Sequence, residues 1–323
     1  MKPAYLVAAA TAAIAFAGAA QAAEVEIRNA VARVVVIPED RADIAVEIEH
    51  GSSPLERMTV TRRGDDVFID GGLSRNAVRS CSSGSSSATQ PGEGATVDIR
   101  GHGRMNVSDT PLVVVRTPRD VDVKAGRTGG RSRILNITRG GSGGAVFGSI
   151  GRGARSIELS NRGCGDWTVA NTEGELDLSS TGSGSIRAGT SGTLDLSVAG
   201  SGGVSTGATG DADIAVAGSG DISVASTRSA DIAIAGSGDV RIGRVDGDTL
   251  EVSIAGSGDV RVGGGQARTL DVSIAGSGNV TFDGRAGDVD ASIMGSGDVR
   301  VAEATGAVNR RVAGSGEIRI GNQ

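Results

Sequence analysis

The chain has 323 residues, of which 53 are glycine and 2% are aromatic. Its 38 acidic side chains outnumber its 32 basic ones, which gives a net charge of −6. Because an acidic surface repels phosphate backbones, we exclude nucleic acid as a partner.

Residues 1–22 have the pattern of a secretory signal peptide. Lys2 supplies a positive start, an alanine-rich apolar run follows, and Ala20-Gln21-Ala22 is typical of a cleavage site. A retained membrane anchor is the alternative, but the run is short, weakly hydrophobic and broken by Gly18. The rest of the sequence has no long apolar run, so we expect no transmembrane segment in the mature chain. Cleavage removes Lys2 and no acidic residue, which leaves a net charge of −7. We expect the mature protein in the periplasm or outside the cell.

Residues 23–125 form a strand-rich N-terminal region. Apolar and polar residues alternate around residues 44–48 and again in residues 111–125, which predicts strands. Residues 71–94 are rich in serine and glycine and lack this alternation, which predicts a long loop. A second glycine-rich stretch, residues 126–153, leads into the repeats. We expect any binding loop to lie in one of these two irregular stretches.

Residues 126–323 contain a repeat of 18 to 20 residues. It is clearest in residues 250–262, LEVSIAGSGDVRV, and in residues 270–282, LDVSIAGSGNVTF. Apolar and polar residues alternate on both sides of a Gly-x-Gly turn, which predicts two short strands joined by a tight corner. The first glycine of the turn is residue 163, 182, 200, 218, 236, 256, 276, 295 and 314. This period predicts an all-β fold, a parallel β-solenoid (β-helix) of about nine coils with almost no helix.

The repeats resemble those of a bacterial family, the auto-transporter adhesin head GIN-domain proteins. The resemblance lies in the GSGDV and GSGDI turns that follow an L-D-x-S-I-A strand, and in the passage PLVVVRTPRDVDVKAGRTGG at residues 111–130. It extends from about residue 97 to residue 323 and is most specific between residues 200 and 320. The resemblance implies a right-handed parallel β-solenoid, a location in the envelope or outside the cell, and an adhesive role.

Alignment of the repeats places acidic residues in two columns on the outer surface. The first, here called the strand column, consists of Glu158, Asp177, Asp195, Asp213, Asp231, Glu251, Asp271 and Asp290. The second, here called the turn column, follows the glycine turns and consists of Asp166, Asp221, Asp239, Asp259, Asp298 and Glu317, with Asn279 in place of one acid.

Like charges stacked one coil apart repel each other, so the columns need compensation. Four arginines lie two residues beyond the turn column, where we expect them to neutralise it: Arg241, Arg261, Arg300 and Arg319. We also expect the turn aspartates to accept hydrogen bonds from backbone N–H groups. The alternative is that calcium or another divalent cation binds between acids of adjacent coils.

Cys81 and Cys164 are the two cysteines of the chain. In an oxidising compartment they could form a disulfide that fastens the loop of residues 71–94 to the first repeat. Two free, partly buried thiols are the alternative.

The sequence contains no recognisable catalytic motif and implies no cofactor. His50 and His102 lie outside any metal-ligand or nucleophile pattern, and the turns lack the further glycine or lysine of nucleotide-binding loops. The predicted function is therefore that of a non-catalytic, adhesin-like solenoid that binds envelope components, glycans or cell surfaces. A purely structural periplasmic scaffold is one alternative.

A polysaccharide lyase or hydrolase that uses carboxylates of the columns is the other alternative. Such enzymes stack sugar rings on aromatic side chains, and the mature chain offers four: Phe68, Phe147, Trp167 and Phe282. Trp167 and Phe282 occupy inward positions of their repeats, so we expect both in the core.

Overall fold

The computed structural model of the protein describes residues 23–82, 90–127 and 144–321. Within these ranges the one helical element is a 3-10 turn, Val107–Asp109. Almost all of the strand pairing is parallel. The predicted all-β parallel solenoid, with coils of about 19 residues, is confirmed.

Twenty-eight strands lie in the described residues. Before residue 128 they are β1 Glu24–Arg28, β2 Val31–Pro38, β3 Ala45–Glu49, β4 Thr59–Arg63, β5 Asp66–Asp70, β6 Val78–Ser82, β7 Thr96–Ile99, β8 Gly103–Asn106, β9 Leu112–Thr117 and β10 Asp120–Arg127. From residue 144 they are β11 Ala145–Ile150, β12 Ser156–Asn161, β13 Trp167–Val169, β14 Glu175–Ser180, β15 Ile186–Ala188, β16 Thr193–Val198, β17 Val204–Ala208, β18 Asp211–Val216, β19 Ile222–Ser226 and β20 Ser229–Gly236. The last are β21 Val240–Ile242, β22 Val245–Gly256, β23 Val260–Val262, β24 Gly265–Gly276, β25 Val280–Gly295, β26 Val299–Ala304, β27 Val308–Gly314 and β28 Ile318–Ile320.

Two stacks of parallel strands form the main walls of the solenoid. The first wall stacks β1, β10, β12, β14, β16, β18, β20, β22, β24, the second half of β25, and β27. The second wall stacks β9, β2, β11, β13, β15, β17, β19, β21, β23, the start of β25, β26 and β28. Each coil therefore contributes one strand to each wall.

The N-terminal strands belong to the same walls as the repeats. The first wall continues across residue 126, because β10 pairs with β12, and the second wall continues because β2 pairs with β11. At this end β5 pairs in parallel with β1 and so begins the first wall. One antiparallel strand then covers each wall, with β4 on β5 and β3 on β9. The solenoid thus begins before the part of the sequence in which its period is visible.

Inward residues of the two walls fill the interior. The residues Leu250, Val252 and Ile254 of β22 are at most 1% exposed, while Glu251 and Ser253 face solvent. Each buried aliphatic side chain of this size contributes about 1.5–3 kcal/mol. Trp167 and Phe282 are buried as well, which confirms that both belong to the core.

Glycines are required where coils approach most closely. Gly276 has a φ of 143°, and a Cβ atom there would lie 2.1 Å from the carbonyl oxygen of Gly256 in the preceding coil. A Cβ atom on Gly148 would lie 2.3 Å from Cζ3 of Trp167. Only a residue without a side chain fits at either position, which explains why the turns repeat glycine.

A small antiparallel sheet of β6, β7 and β8 packs beside the second wall. It buries Val97 and Ile99 against Val31 and Phe147, which come from β2 and β11. The prediction of a loop throughout residues 71–94 is therefore wrong for β6, and residues 83–89 lie outside the described ranges. The irregular stretch predicted at residues 126–153 likewise contains β11, and residues 128–143 are not described. β11 owes its conformation to pairing with the distant strand β2, and β6 to pairing with the next strand, β7, across the serine-rich stretch. Local periodicity reveals neither pairing.

Candidate binding surface

The strand column lies on the outer face of the first wall, with one carboxylate in each coil. Its consecutive members are direct register partners, from Glu158 with Asp177 to Asp271 with Asp290. Parallel strands are about 4.8 Å apart, so the carboxylates form a closely spaced row.

Two acidic residues that the sequence alignment missed extend this row. Asp122 is the register partner of Glu158, and Glu24 is the register partner of Asp122. No Gly-x-Gly turn marks their coils, so only the hydrogen-bonding register reveals them. The extended row has basic partners at its two ends. Lys124 Nζ lies 2.7 Å from Glu24 Oε2 and 3.3 Å from Asp122 Oδ2. At the other end, Arg311 Nη1 lies 2.9 Å from Asp290 Oδ1.

Between these ends the strand column has no such compensation. Seven consecutive carboxylates make no hydrogen bond or ion pair with any residue of the described ranges: Glu158, Asp177, Asp195, Asp213, Asp231, Glu251 and Asp271. Their mutual repulsion is relieved only by solvent and salt.

Two carboxylates of the extended row, Asp177 and Asp122, are weaker acids than an ordinary aspartate. Burial raises the pKa of Asp177 from its ordinary 3.8 to about 6, and the charges of Asp195 and Glu158 add to the rise. Burial also raises the pKa of Asp122 to about 6, although Lys124 opposes the rise. At both Asp177 and Asp122 the surroundings therefore disfavour the charged form.

The turn column is organised differently, because its side chains bond to the next coil. Asp239 Oδ1 accepts the backbone N–H of Asp259 at 3.1 Å, and Asp259 Oδ1 accepts that of Asn279 at 2.9 Å. Asn279 Oδ1 accepts the N–H of Asp298 at 3.0 Å, and Asp298 Oδ1 accepts that of Glu317 at 2.9 Å. The turn column is thus a ladder of side-chain-to-backbone hydrogen bonds along the solenoid.

The four arginines beyond the turn column neutralise it only in part. Arg241 pairs with Asp239 at 3.1 Å, and Arg319 pairs with Glu317. Arg261 instead pairs with Asp283, which lies outside the turn column, its Nη2 lying 2.5 Å from Oδ2, so the expectation that Arg261 neutralises the turn column is wrong. A long arginine side chain reaches acids on either side of its strand, and alignment does not indicate which one it contacts. Arg300 has no ion pair with a described residue.

A shallow open groove of about 360 Å³ interrupts the outer face of the first wall. Leu194, Ala212 and Ala230 lie beneath it, and their side chains face the interior of the solenoid. The surface of the groove is therefore set by the outward side chains on either side of these residues.

The groove runs along the solenoid axis between two rows of polar side chains. Strand-column members form one row: Asp195, Asp213, Asp231 and Glu251. The other row lies two positions earlier in the same strands and includes Thr193, Asp211 and Ser229. Of these acids, Asp211 has a cationic partner, Arg228, at 2.6 Å.

The structure places Cys81 and Cys164 in a disulfide with a Cα–Cα distance of 6.0 Å. Cys81 lies in β6, and Cys164 lies in the first Gly-x-Gly corner. The bond therefore ties the side sheet to the solenoid. It lies beside the second wall, whereas the groove lies on the first.

We also searched the described residues for a metal site, for histidines near the groove and for a membrane-spanning helix. They contain no group of three or more His, Cys, Asp or Glu side chains arranged to hold a metal ion. His50 and His102 are both exposed and lie outside the groove. No helix in the described ranges is long and apolar enough to cross a membrane.

Sequence and structure comparisons give the chain its family. Residues 131–244 and 228–323 match the sequence profile described as "Putative auto-transporter adhesin, head GIN domain". No curated protein matches the sequence. A solved structure of a "putative adhesin" from Bacteroides fragilis, at 2.07 Å resolution, is 12% identical over 93% of both chains, with a TM-score of 0.29. The two profile matches together span more than half of the sequence, and the chain therefore belongs to the auto-transporter adhesin head GIN-domain family.

Proposed function

We propose that the protein is an exported, non-catalytic adhesin-like solenoid that binds envelope components, glycans or cell surfaces through the outer face of its first wall. The observation that carries the proposal is the run of seven strand-column carboxylates without partners. Six of these carboxylates are exposed and Asp177 is half-buried, and like charges stacked on neighbouring strands reduce stability. A row that persists through seven coils therefore calls for a reason outside the fold, and contact with a ligand is such a reason.

The regular spacing of the row supports binding to an extended partner. Each coil presents one carboxylate at the same height above the wall, so a long ligand meets the same chemistry at every step. Many weak contacts that act together produce strong attachment, which suits an adhesive protein. The signal peptide predicted at residues 1–22 and the family membership both support a location where such partners occur.

Binding to an array of bacterial and host glycans, with and without calcium, tests the proposal. The mature protein is compared with a strand-column variant, Asp195→Asn/Asp213→Asn/Asp231→Asn. The matched control is a turn-column variant with the same net charge, Asp239→Asn/Asp259→Asn/Asp298→Asn. We expect specific binding without turnover, retained in the control and lost in the strand-column variant.

Other outcomes separate the alternatives. Degradation of a glycan would overturn the proposal in favour of a lyase or hydrolase. Failure to bind any glycan or envelope fraction would favour a structural scaffold. Binding that appears only with calcium would indicate that the acidic columns bind this cation.

A further inference from the structure

The side sheet of β6, β7 and β8 is attached to the solenoid by side chains and not by backbone pairing. It forms a sheet of its own, and within the described ranges no backbone hydrogen bond joins it to either wall. Apolar contacts and the disulfide of Cys81 and Cys164 hold it in place. Its strands have only four or five residues, so it depends on the solenoid for stability.

The side sheet covers an apolar patch on the outer face of the second wall. Val146 faces the main core, so Phe147, the next residue of β11, faces outward. Val31 and Ala145 lie beside it, and all three of these outward residues are at most 1% exposed. Beyond the side sheet, the outward positions of this wall are polar and exposed, as at Thr168. The apolar patch therefore coincides with its cover.

The disulfide fastens the cover at a position where later coils have serine. Their corners read Gly-Ser-Gly, and the serines are exposed, as at Ser183 and Ser201. Cys164 replaces this serine in the first corner, at the edge of the apolar patch. Cys81 and Cys164 are both only half-buried, so a reducing agent can reach the bond between them.

The disulfide restricts the opening of the side sheet. The solenoid already holds the chain on both sides of the sheet, at β5 and at β9. The bond is a third attachment, and it shortens the loop that is free when the sheet opens. Closing a loop of about 15 residues disfavours the open chain about a hundredfold. Loss of the bond should therefore make opening more frequent by about this factor, while the walls stay paired.

We propose that the disulfide is a redox-controlled latch: when a dithiol reduces it, the side sheet opens more often and uncovers the apolar patch of the second wall. A thiolate of the dithiol attacks one sulfur of the bond, and its second thiol then resolves the mixed disulfide. The dithiol is oxidised to its own disulfide, and its two electrons and two protons leave Cys81 and Cys164 as thiols. Formation of the bond reverses the change. The inference concerns the second wall and does not depend on the function proposed for the first.

Hydrogen exchange followed by mass spectrometry tests the proposal on the mature protein, with and without dithiothreitol. In the reduced protein we expect the backbone N–H groups of β7 and β8 to exchange about a hundredfold faster. Exchange in β22 and β24, which belong to the first wall, should not change. Reoxidation should restore slow exchange in the side sheet.

Two variants separate the bond from the apolar contact. Cys81→Ser/Cys164→Ser lacks the bond and gives the first corner the serine of the later ones. We expect it to exchange as the reduced protein does and to be unaffected by dithiothreitol. Phe147→Ala keeps the bond and removes the largest side chain under the cover. It should make exchange in β7 about tenfold faster before reduction.

Three results would overturn the proposal. Unchanged exchange in β7 and β8 after reduction would mean that apolar contact alone holds the side sheet. Equal acceleration in β22 and β24 would mean that the bond stabilises the whole fold and not the cover. Failure of the reoxidised protein to regain slow exchange would mean that the opening is not reversible, so that the bond is not a latch.

Discussion

The two acidic columns of the solenoid have similar composition and opposite surroundings. In the turn column, Asp239 and Asp259 each accept the backbone N–H of the next coil. In the strand column, Asp213 and Asp231 make no hydrogen bond or ion pair with any described residue. The same side chain, repeated at the same interval, is therefore a structural element in one column and a free surface group in the other.

The difference is also visible in pKa values. The hydrogen bond from Arg319 lowers the pKa of Glu317 in the turn column. Burial and the charges of neighbouring acids raise the pKa of Asp177 in the strand column to about 6. A lowered pKa means that the fold stabilises the charged form, and a raised one means that it opposes it. Repetition alone thus does not reveal whether a residue supports the fold.

The largest effect that we expect comes from removal of the turn ladder. In Asp239→Ala/Asp259→Ala/Asp298→Ala, three backbone N–H groups lose their acceptors, and each exposed bond contributes about 1 kcal/mol. We expect the free energy of unfolding to fall by about 3 kcal/mol, measured by urea denaturation followed by circular dichroism. A loss confined to one coil would show that the coils unfold separately.

The matched control keeps the acceptors and removes the charges. In Asp239→Asn/Asp259→Asn/Asp298→Asn, each side-chain oxygen can still accept the N–H, as Asn279 does at 3.0 Å. We therefore expect this variant to stay within about 1 kcal/mol of the unmodified protein. A loss as large as that of the alanine variant would mean that charge, and not hydrogen bonding, makes the turn column stabilising.

The strand column should respond in the opposite direction. Asp195→Asn/Asp213→Asn/Asp231→Asn removes repulsion between carboxylates about 4.8 Å apart and breaks no hydrogen bond among the described residues. We expect the free energy of unfolding to rise by about 1–2 kcal/mol in the same denaturation experiment. A decrease would show that the strand column supports the fold and would weaken the argument for binding.

The sequence alone predicts the acidic columns only in the part of the chain where glycine turns mark the coils. From residue 163 onward, the Gly-x-Gly corners fix the alignment, so the strand-column residues fall correctly into register. Asp122 and Glu24 were missed because their coils are joined by longer connections without that marker. Their position follows from hydrogen bonds between strands far apart in sequence, which a local pattern cannot indicate.

Side-chain partners mark a second limit. The repeat predicts that four arginines lie beside the turn column, but a flexible side chain selects among several acids by geometry, and Arg261 pairs with Asp283. Alignment therefore gives the position of an arginine in its coil and does not give the acid that it contacts.

The effect of pH provides a finer test of the strand column. The pKa of Asp177 is about 6 in the folded protein and 3.8 ordinarily, so the folded state binds the proton more tightly than the unfolded state. Stability therefore rises as pH falls through about 6 towards about 4, and it is lower above about 6. In Asp177→Asn, we expect the stability to depend less on pH between about 7 and about 5.

Denaturation at several pH values measures this effect, and it should amount to about 1 kcal/mol after allowance for solvent screening. Glu317 provides the control, because its pKa is lowered and its contribution is lost only at lower pH. An unchanged pH profile in Asp177→Asn would assign the effect to Asp122, whose pKa is also about 6.

The smallest effect that we expect is that of salt on the free energy of unfolding. Comparing this effect between variants shows which column contains the carboxylates that repel each other. Added sodium chloride screens exposed charges, so about 0.5 M salt should stabilise the unmodified protein by about 0.5 kcal/mol relative to low salt. Salt also strengthens apolar burial, but that contribution is common to all variants and cancels in a comparison. The two triple asparagine variants carry the same net charge, so any difference between them reflects where the charges were. We expect the salt effect to shrink in the strand-column variant and to persist in the turn-column variant, because only the strand column holds carboxylates whose repulsion the fold leaves to the solvent.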